Sequence, residues 1–214
     1  MIKLHNYFRS SASYRVRIAL GLKGLAYDYR SIHLTRGGGE QFTPAFHALN
    51  PLAVVPVLEH DGARLTQSLA IIEYLDEVHP EPPLLPRSPI ERARVRALSL
   101  SVACEIHPLN NLRVLGFLTG ELGLTAEAKT KWYRHWVELG LTALEAEIAL
   151  GPPGRFCYGD APGLADCFLV PQLFNARRFE CELSGYPRLL AIEASCQSLA
   201  AFREAAPERQ PDAE

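Results

Sequence analysis

Three of the four residues from 10 to 13 are serines, and they stand directly before a helical repeat of apolar residues. Val16, Ala19 and Leu20 recur at helical spacing, so the serines are expected to open a helix. Hydroxyl groups and backbone N–H groups at a helix start bind anions, and the helix dipole favours the negative charge. The anion could be a phosphate, a carboxylate or a thiolate. In an alternative that these residues leave open, one serine caps the helix and the others have no further role.

Two further segments could bind polar groups of a ligand. A proline interrupts a β-type run at Val55-Pro56. If that bond is cis, the main-chain groups of Val55 are left to pair with a peptide-like ligand; the alternative is a plain edge strand, which tolerates proline. Gln67-Ser68 precedes an apolar helix, whose first N–H groups and the Ser68 hydroxyl would suit a carboxylate. A simple N-cap is the alternative there.

The first 80 residues show the periodicities of a small α/β unit that would position these groups. Asp61-Gly62 is a strong hairpin signal, and Gly24 is a helix stop signal. The predicted order is βαβα–ββα. The predicted strands are 2–7, 26–33, 54–59 and 64–66, and the predicted helical segments are 16–23, 41–49 and 69–79.

Residues 80–86 are rich in proline and are expected to form a linker. Beyond them the apolar spacing is helical almost to the end, which predicts an all-helical second domain. The tail from Gln210 to Glu214 is expected to be frayed. The predicted helices of this second part are 91–118, 131–150, 166–179 and 189–202.

Composition narrows the class of protein. The chain has 214 residues and a formal net charge of −2, without a basic block that would indicate nucleic-acid binding. No apolar run approaches the roughly 18 residues of a membrane span, and no signal peptide is evident, so we expect a cytoplasmic protein. The five cysteines are widely spaced without a C-x-x-C motif, which indicates neither a disulfide framework nor a zinc site.

Several segments together resemble the zeta class of glutathione transferases, which includes maleylacetoacetate and maleylpyruvate isomerases. The resemblance covers essentially the whole chain in collinear order. It implies a glutathione transferase fold, with an α/β thioredoxin-like N-terminal domain at 1–81, an all-α C-terminal domain at 87–212, and a homodimer. The resembling segments are RSSASYRVRIAL at 9–20, ALNP at 48–51, Val55-Pro56, QSLAIIEYL at 67–75 and QPD at 210–212.

The resemblance also implies a binding site for glutathione. Ser10 matches the serine whose hydroxyl lies by the glutathione sulfur, and Ser11 lies beside it. In the helical domain, His107 and the segment from Asn111 to Arg113 align with residues that face the active cleft, and His107 stands where some relatives carry glutamine. The residues that match the family's contacts to the tripeptide in the first domain are Gln41, Val55, Gln67 and Ser68.

Two positions depart from the family pattern. Ala12 replaces the usual cysteine of the serine segment, which argues against a covalent role there and leaves the hydroxyls to activate the thiol. Gly163 replaces the usual Ser or Thr three residues before Asp166. Glycine is an acceptable N-cap, and we interpret Asp166 as a structural residue.

The implied chemistry is cis–trans isomerisation of a conjugated enedioate. A thiolate adds to the alkene, the resulting single bond rotates, and elimination returns the trans alkene, so the enzyme must keep sulfur ionised. The substrate is a dianion, and guanidinium groups suit carboxylates. Arg9, Arg113 and Arg178 are the candidate substrate-binding residues. Arg178 is favoured over Arg177, which would point about 100° away on the same helix.

The first hypothesis is a glutathione-dependent isomerase of maleylacetoacetate, and maleylpyruvate is the closest alternative substrate. A second hypothesis is a conjugating transferase or a dehalogenase of small α-halo acids that uses the same thiolate. A third, from another class, is a non-catalytic glutathione-binding protein. Neither metal, nucleic acid nor membrane is expected as a partner.

Overall fold

A computed structural model describes all residues from 1 to 214. The chain divides into two compact units. The N-terminal unit comprises Met1–Leu84 together with Gln197–Glu214, and the helical unit comprises Leu85–Cys196.

A four-stranded mixed sheet forms the centre of the N-terminal unit, in the order β2-β1-β3-β4. β1 pairs in parallel with β2, with Ile2 opposite Tyr27, while β3 is antiparallel to both β1 and β4. This is the thioredoxin-like arrangement that the sequence predicts. The strands are β1 (Ile2–Asn6), β2 (Tyr27–Ser31), β3 (Val57–His60) and β4 (Ala63–Thr66).

The helices of this unit are α1 (Ser11–Leu22), α2 (Pro44–Leu49) and α3 (Ser68–Val78), followed much later by α9 (Ala200–Glu204). α1 packs against both α3 and α9. Burying each large aliphatic side chain stabilises the fold by about 1.5–3 kcal/mol. This core therefore holds the starts of α1 and α3 in fixed positions. Its fully buried members include Leu4, Leu20, Leu58, Ile71 and Leu75.

The helical unit differs from the prediction of one helix over 91–118. Pro108 follows a π-helical turn at Ser101–Ile106, and it lacks the N–H that would continue an α-helix. Asn111 then starts a new helix, because its side chain accepts a hydrogen bond from Arg113 N at 3.1 Å. The unit contains α4 (Pro89–Leu100), α5 (Leu112–Gly120), α6 (Ala126–Ala149), α7 (Leu164–Arg178) and α8 (Pro187–Gln197).

α6 packs closely on the π-helical turn because residue 140 is glycine. A Cβ atom at Gly140 would lie 2.2 Å from Cγ1 of Ile106, far inside van der Waals contact. Ile106 is fully buried and directly precedes His107. The glycine thus fixes the end of the segment that carries one of the predicted site residues.

Asp166 is fully buried at the start of α7, where it joins three segments of the helical unit. Its carboxylate accepts hydrogen bonds from Cys157 N at 2.9 Å and Gly163 N at 2.8 Å, and Cys196 Sγ lies 3.8 Å away. Burial raises the pKa of Asp166, and these hydrogen bonds partly oppose the increase. The contacts support the structural role predicted for this residue.

The end of the chain corrects two predictions. The helix expected at 189–202 is divided into α8 and α9, because Leu199 has an extended backbone. The tail is not frayed: Gln210 is buried, and its Nε2 donates to the carbonyl oxygens of Glu204 and Ala206 at 2.8 Å each. The range 87–212 expected for the helical domain consequently differs from the observed unit, since Gln197–Glu214 packs with the N-terminal unit.

None of the helices combines the length and apolar composition needed to cross a bilayer. All five cysteines are free, and four of them are buried, with Cys104 exposed.

Candidate active site

Sheet register brings the three predicted ligand-binding segments to one end of the sheet. His5 near the end of β1 lies opposite Val57 at the start of β3, and Val57 lies opposite Thr66 at the end of β4. The chain therefore leaves β1, enters β3 and leaves β4 at the same end of the sheet. Val55-Pro56 and Gln67-Ser68 stand there, together with the serine loop, which we define as residues 7–13.

Ser10 is the N-cap of α1. Its Oγ accepts a hydrogen bond from Ser13 N at 3.2 Å, and its own N–H donates to Tyr7 O at 3.0 Å. The capping alternative is thus correct for Ser10, but it does not exclude a second role, because a capping hydroxyl still has its O–H to donate. Ser11, the first residue of α1, is buried. No acidic residue lies in the first turn, so the positive end of the helix dipole is not neutralised there.

Arg9 is oriented by the aromatic residues before it. Its Nη2 and Nε donate to the Tyr7 hydroxyl at 2.9 and 3.3 Å, and its guanidinium carbon lies 5.0 Å from the centre of the Phe8 ring. Cation–π and hydrogen-bond contacts of this kind restrict a flexible side chain. A half-buried cation is therefore held beside Ser10.

The Val55–Pro56 peptide bond is cis, and β3 lies inside the sheet between β1 and β4. The alternative of a plain edge strand is wrong. The main-chain N–H and C=O of Val55 make no hydrogen bond within the chain. They can pair with an extended peptide in the way that a further strand would.

Gln67 and Ser68 open α3 with an unusual backbone. Gln67 has a φ of +68°, in a region that residues other than glycine rarely adopt, and its side chain is exposed without capping the helix. Ser68 is buried, and its Oγ accepts a hydrogen bond from Arg15 Nη1 at 3.2 Å. The first turn of α3 therefore presents N–H groups and a hydroxyl next to a cation, which suits a carboxylate.

Gln41 contributes an acceptor without a partner. Its Nε2 donates to Leu34 O at 3.1 Å, whereas its buried Oε1 has no hydrogen-bond partner. An unpaired buried acceptor costs free energy, which a ligand donor would recover. Gly39 is required here, because a Cβ atom on it would lie 2.6 Å from Nε2 of Gln41 and its φ is +107°.

The predicted residues of the helical unit lie on the segment between α4 and α6. His107 follows the π-helical turn, Asn111 caps α5, and Arg113 is exposed on the first turn of α5. The segment is fixed to α6, because Trp132 Nε1 donates to Leu109 O at 2.8 Å.

Arg177 and Arg178, at the end of α7, differ in their contacts. Nη1 and Nη2 of Arg177 donate to the two carboxylate oxygens of Glu193 at 2.5 Å each, and this hydrogen bonding raises the pKa of Arg177. Arg178 is exposed, and its guanidinium carbon lies 5.8 Å from the centre of the Phe179 ring. Arg178 is thus the member of the pair without a carboxylate partner in the chain.

Sequence reasoning missed Arg15, Arg17 and Asp212, which hold the serine loop and the start of α3. The signal was present, because Arg15 and Arg17 lie within the apolar repeat of α1, where unpaired charges are rare. Both are 2% exposed. A buried arginine in such a position indicates a network of acceptors around it.

Comparison with known proteins agrees with this geometry. Models of the glutathione S-transferase N-terminal domain and C-terminal domain match residues 4–83 and 137–192. The chain is 51% identical over 210 residues to the probable maleylacetoacetate isomerase of Vibrio cholerae, a match that covers 98% of this chain and 97% of that protein.

Solved structures agree over the same length. A bacterial zeta-class maleylpyruvate isomerase in its holo form gives a TM-score of 0.96 at 47% identity and covers 99% of this chain and 100% of its own. The maleylacetoacetate isomerase of Anaeromyxobacter dehalogenans, with dicarboxyethyl glutathione and citrate in its active site, gives a TM-score of 0.88 at 47% identity. The match covers 100% of this chain and 98% of that chain. The chain therefore belongs to the glutathione S-transferase family, in the zeta class with the maleylacetoacetate and maleylpyruvate isomerases.

Proposed function

We propose that this chain is a glutathione-dependent cis–trans isomerase of a maleyl keto acid, converting maleylacetoacetate to fumarylacetoacetate. One observation supports the proposal most strongly. The anion site at Ser10 and the unpaired main-chain N–H and C=O of Val55 lie at the same end of the sheet. The 51% identity to a probable maleylacetoacetate isomerase supports the same activity.

The residues at this end of the sheet fit glutathione, which is a tripeptide with two carboxylates and a thiol. The main chain of Val55 suits the cysteinyl backbone, and the N–H groups at the start of α3 with Ser68 suit the γ-glutamyl carboxylate. Gln67 adds an exposed amide beside that carboxylate. The unpaired Oε1 of Gln41 offers an acceptor for an N–H donor of the peptide. From the helical unit, His107 and Asn111 are proposed as further contacts to glutathione.

When bound, glutathione supplies the sulfur nucleophile whose reversible addition to the conjugated double bond permits rotation. The protein must stabilise the negative charge on that sulfur near neutral pH. The Ser10 O–H donates a hydrogen bond to it, and the helix dipole of α1 favours the charge, which lowers the thiol pKa. Ser11 shares this role at the first helical position. Ala12 supplies no second thiol, so the chain itself forms no thioether or disulfide at that position.

Arg9, Arg113 and Arg178 are proposed to bind the substrate carboxylates. Planar guanidinium groups bind carboxylates with two parallel hydrogen bonds and also stabilise the negative charge that develops on the substrate oxygen during addition. Neither Arg113 nor Arg178 is in a salt bridge within the chain, in contrast to Arg177. The dicarboxyethyl glutathione and citrate bound by the Anaeromyxobacter isomerase support a dianionic substrate.

Maleylpyruvate is the second candidate substrate. The TM-score of 0.96 to a maleylpyruvate isomerase favours it, and the two substrates differ only at the end remote from the double bond.

We further propose a homodimer, as the family resemblance implies, and a cytoplasmic location. Light scattering on the purified chain would test the dimer.

The decisive experiment is a substrate panel with and without glutathione. The wild-type chain and Ser10→Ala would be mixed with maleylacetoacetate and with maleylpyruvate, and the products identified by proton NMR. We expect the trans isomer to form only with glutathione, and more slowly with Ser10→Ala. Isomerisation that persists without glutathione would refute the proposal, and an accumulating conjugate would show a transferase instead.

A further inference from the structure

The peptide groups around Phe8, in the serine loop, are held by two charged side chains from elsewhere in the N-terminal unit. Phe8 N donates to Asp212 Oδ2 at 3.3 Å, and Phe8 O accepts from Arg17 Nη2 at 2.9 Å. Asp212 is the residue of the QPD segment near the end of the chain, more than 200 positions away. The loop is therefore attached to the C-terminal segment on one side and to α1 on the other.

Arg17 is the centre of this network. Its Nη1 donates to Tyr7 O at 3.3 Å and to Asn6 Oδ1 at 3.1 Å, and its Nε donates to Ala205 O at 3.0 Å. Burial lowers the pKa of Arg17, while nearby groups including Asp212 oppose that effect. Since a guanidinium stays charged in proteins, this buried cation needs each of these acceptors.

Asp212 is fixed by β2 as well as by the loop. Ser31 Oγ donates to Asp212 Oδ2 at 2.8 Å, and the Tyr29 hydroxyl donates to Oδ1. Burial and this hydrogen bond raise the pKa of Tyr29, so its hydroxyl remains a donor. Three donors thus converge on one carboxylate, whose position is defined by the sheet.

The network reaches Ser10 through a single main-chain hydrogen bond. Tyr7 O, which accepts from Arg17, also accepts from Ser10 N at 3.0 Å. Any movement of the Tyr7 and Phe8 peptides is therefore transmitted to the N-cap of α1, whose hydroxyl must point at a bound sulfur. Misplacement of a catalytic group by about 1 Å can reduce a rate about 100-fold.

We propose that Asp212, acting with Arg17, is a positioning residue for glutathione activation. The C-terminal segment attaches the serine loop to the sheet and so sets the direction of the Ser10 hydroxyl. Asp212 does not touch the substrate in this account; it acts through Phe8 and Tyr7. The inference rests on the proposed function, since it concerns the thiol that Ser10 stabilises.

Asp212→Asn tests the inference. Phe8 N and the Tyr29 hydroxyl donate to different oxygens of Asp212, and in asparagine one of these oxygens is replaced by an NH2 group, which cannot accept a hydrogen bond. The pKa of enzyme-bound glutathione would be measured by the ultraviolet absorbance of the thiolate, alongside kcat and KM. We expect the thiol pKa to rise by about one unit and kcat to fall about 10-fold or more. KM for the dicarboxylate should stay unchanged, and Asp212→Glu should recover part of kcat. Tyr29→Phe, which removes one donor without changing charge, should give a smaller shift of the same sign.

Asp160→Asn is the matched control. It makes the same change of charge and removes an acceptor from one backbone N–H, that of Arg155, in the helical unit. Equal effects of Asp160→Asn and Asp212→Asn, or a wild-type thiol pKa and kcat in Asp212→Asn and Tyr29→Phe, would overturn the inference. A wild-type chain that does not bind glutathione would instead refute the proposed function, so the two failures are distinguishable.

Discussion

Arg15 donates a hydrogen bond from Nη1 to Ser68 Oγ over 3.2 Å, which joins the second turn of α1 to the first residue of α3. Both side chains are buried. Because the bond uses a lone pair of the serine oxygen, the Ser68 O–H can still donate to a ligand. A cation, a hydroxyl and a helix start are thus combined at the position proposed for the γ-glutamyl carboxylate.

Ser68→Ala should weaken glutathione binding about 10-fold or more, because a hydrogen bond to a charged group contributes about 1.5–3 kcal/mol. Calorimetric titration with glutathione measures this directly. Ser101→Ala serves as the control, since the hydroxyl of Ser101, just after α4, donates only to Ala97 O in the last turn of that helix. An unchanged dissociation constant for Ser68→Ala would contradict the assignment of the γ-glutamyl site.

Ser10→Ala removes two functions that can be measured separately. Loss of the N-cap should lower the free energy of unfolding by about 1 kcal/mol. Loss of the hydroxyl donor should raise the pKa of the bound glutathione thiol, which moves the acidic limb of the pH–rate profile to higher pH and slows turnover at neutral pH. Denaturant unfolding and the pH dependence of kcat test the two effects.

Ser10→Thr distinguishes those effects, because threonine both caps the helix and keeps a hydroxyl. We expect stability near that of the wild type and a pH–rate profile shifted less than that of Ser10→Ala. If Ser10→Ala loses stability but retains the wild-type pH–rate profile, Ser10 is only a cap.

The sequence was sufficient to predict most of the fold and the segments that carry the ligand-binding groups, whereas their meeting at one end of the sheet follows from the strand register. Strand alternation, Asp61-Gly62 and the serine segment are local signals, and the structure has an element at each of them. The break near Pro108 and the attachment of Asp212 were missed for different reasons. The helix break was hidden by the continuous apolar spacing of 91–118. The attachment of Asp212 depends on its contact with Phe8, and no pattern in the sequence around either residue indicates that long-range contact.

Arg113→Ala should raise KM for the dicarboxylate about 10-fold or more and leave the affinity for glutathione nearly unchanged. The reason is that its exposed guanidinium, on the first turn of α5, is assigned to the substrate rather than to the tripeptide. Steady-state kinetics with each substrate varied in turn separates the two affinities. Equal losses for both substrates would show that the assignment is wrong.

Arg178→Ala and Arg177→Ala form a matched pair on one helix. Arg178→Ala should raise KM for the dicarboxylate without a large loss of stability, because Arg178 is in no salt bridge within the chain. Arg177→Ala should leave KM unchanged and lower stability by at most about 1 kcal/mol, since this side chain is 48% exposed and its ion pair with Glu193 is screened by water. The opposite pattern would assign the substrate carboxylate to Arg177.

Glu214 attaches the C-terminal tail to the rest of the N-terminal unit in a way that depends on pH. Glu214 lies 3.0 Å from His33 Nε2 and 2.6 Å from Arg36 Nη2, and these two partners hold its pKa below the ordinary value of 4.5. A carboxyl whose pKa is lowered on folding adds stability above its ordinary value, and the stability is lost as pH falls through the lowered pKa. The tail should therefore stay attached at pH 6 and loosen below about pH 4.5, as Glu214 becomes protonated.

Hydrogen exchange of residues 207–214, read by mass spectrometry and corrected for the intrinsic pH dependence of exchange, measures this release. Glu214→Gln should exchange faster than the wild type at pH 6, because an uncharged amide is a poor partner for the Arg36 guanidinium. Asp160→Asn, an exposed acid in the helical unit, should leave the exchange of the tail unchanged. Equal protection of the wild type and Glu214→Gln at pH 6 would show that main-chain packing, Gln210 and Asp212, rather than the Glu214 carboxylate, retain the tail.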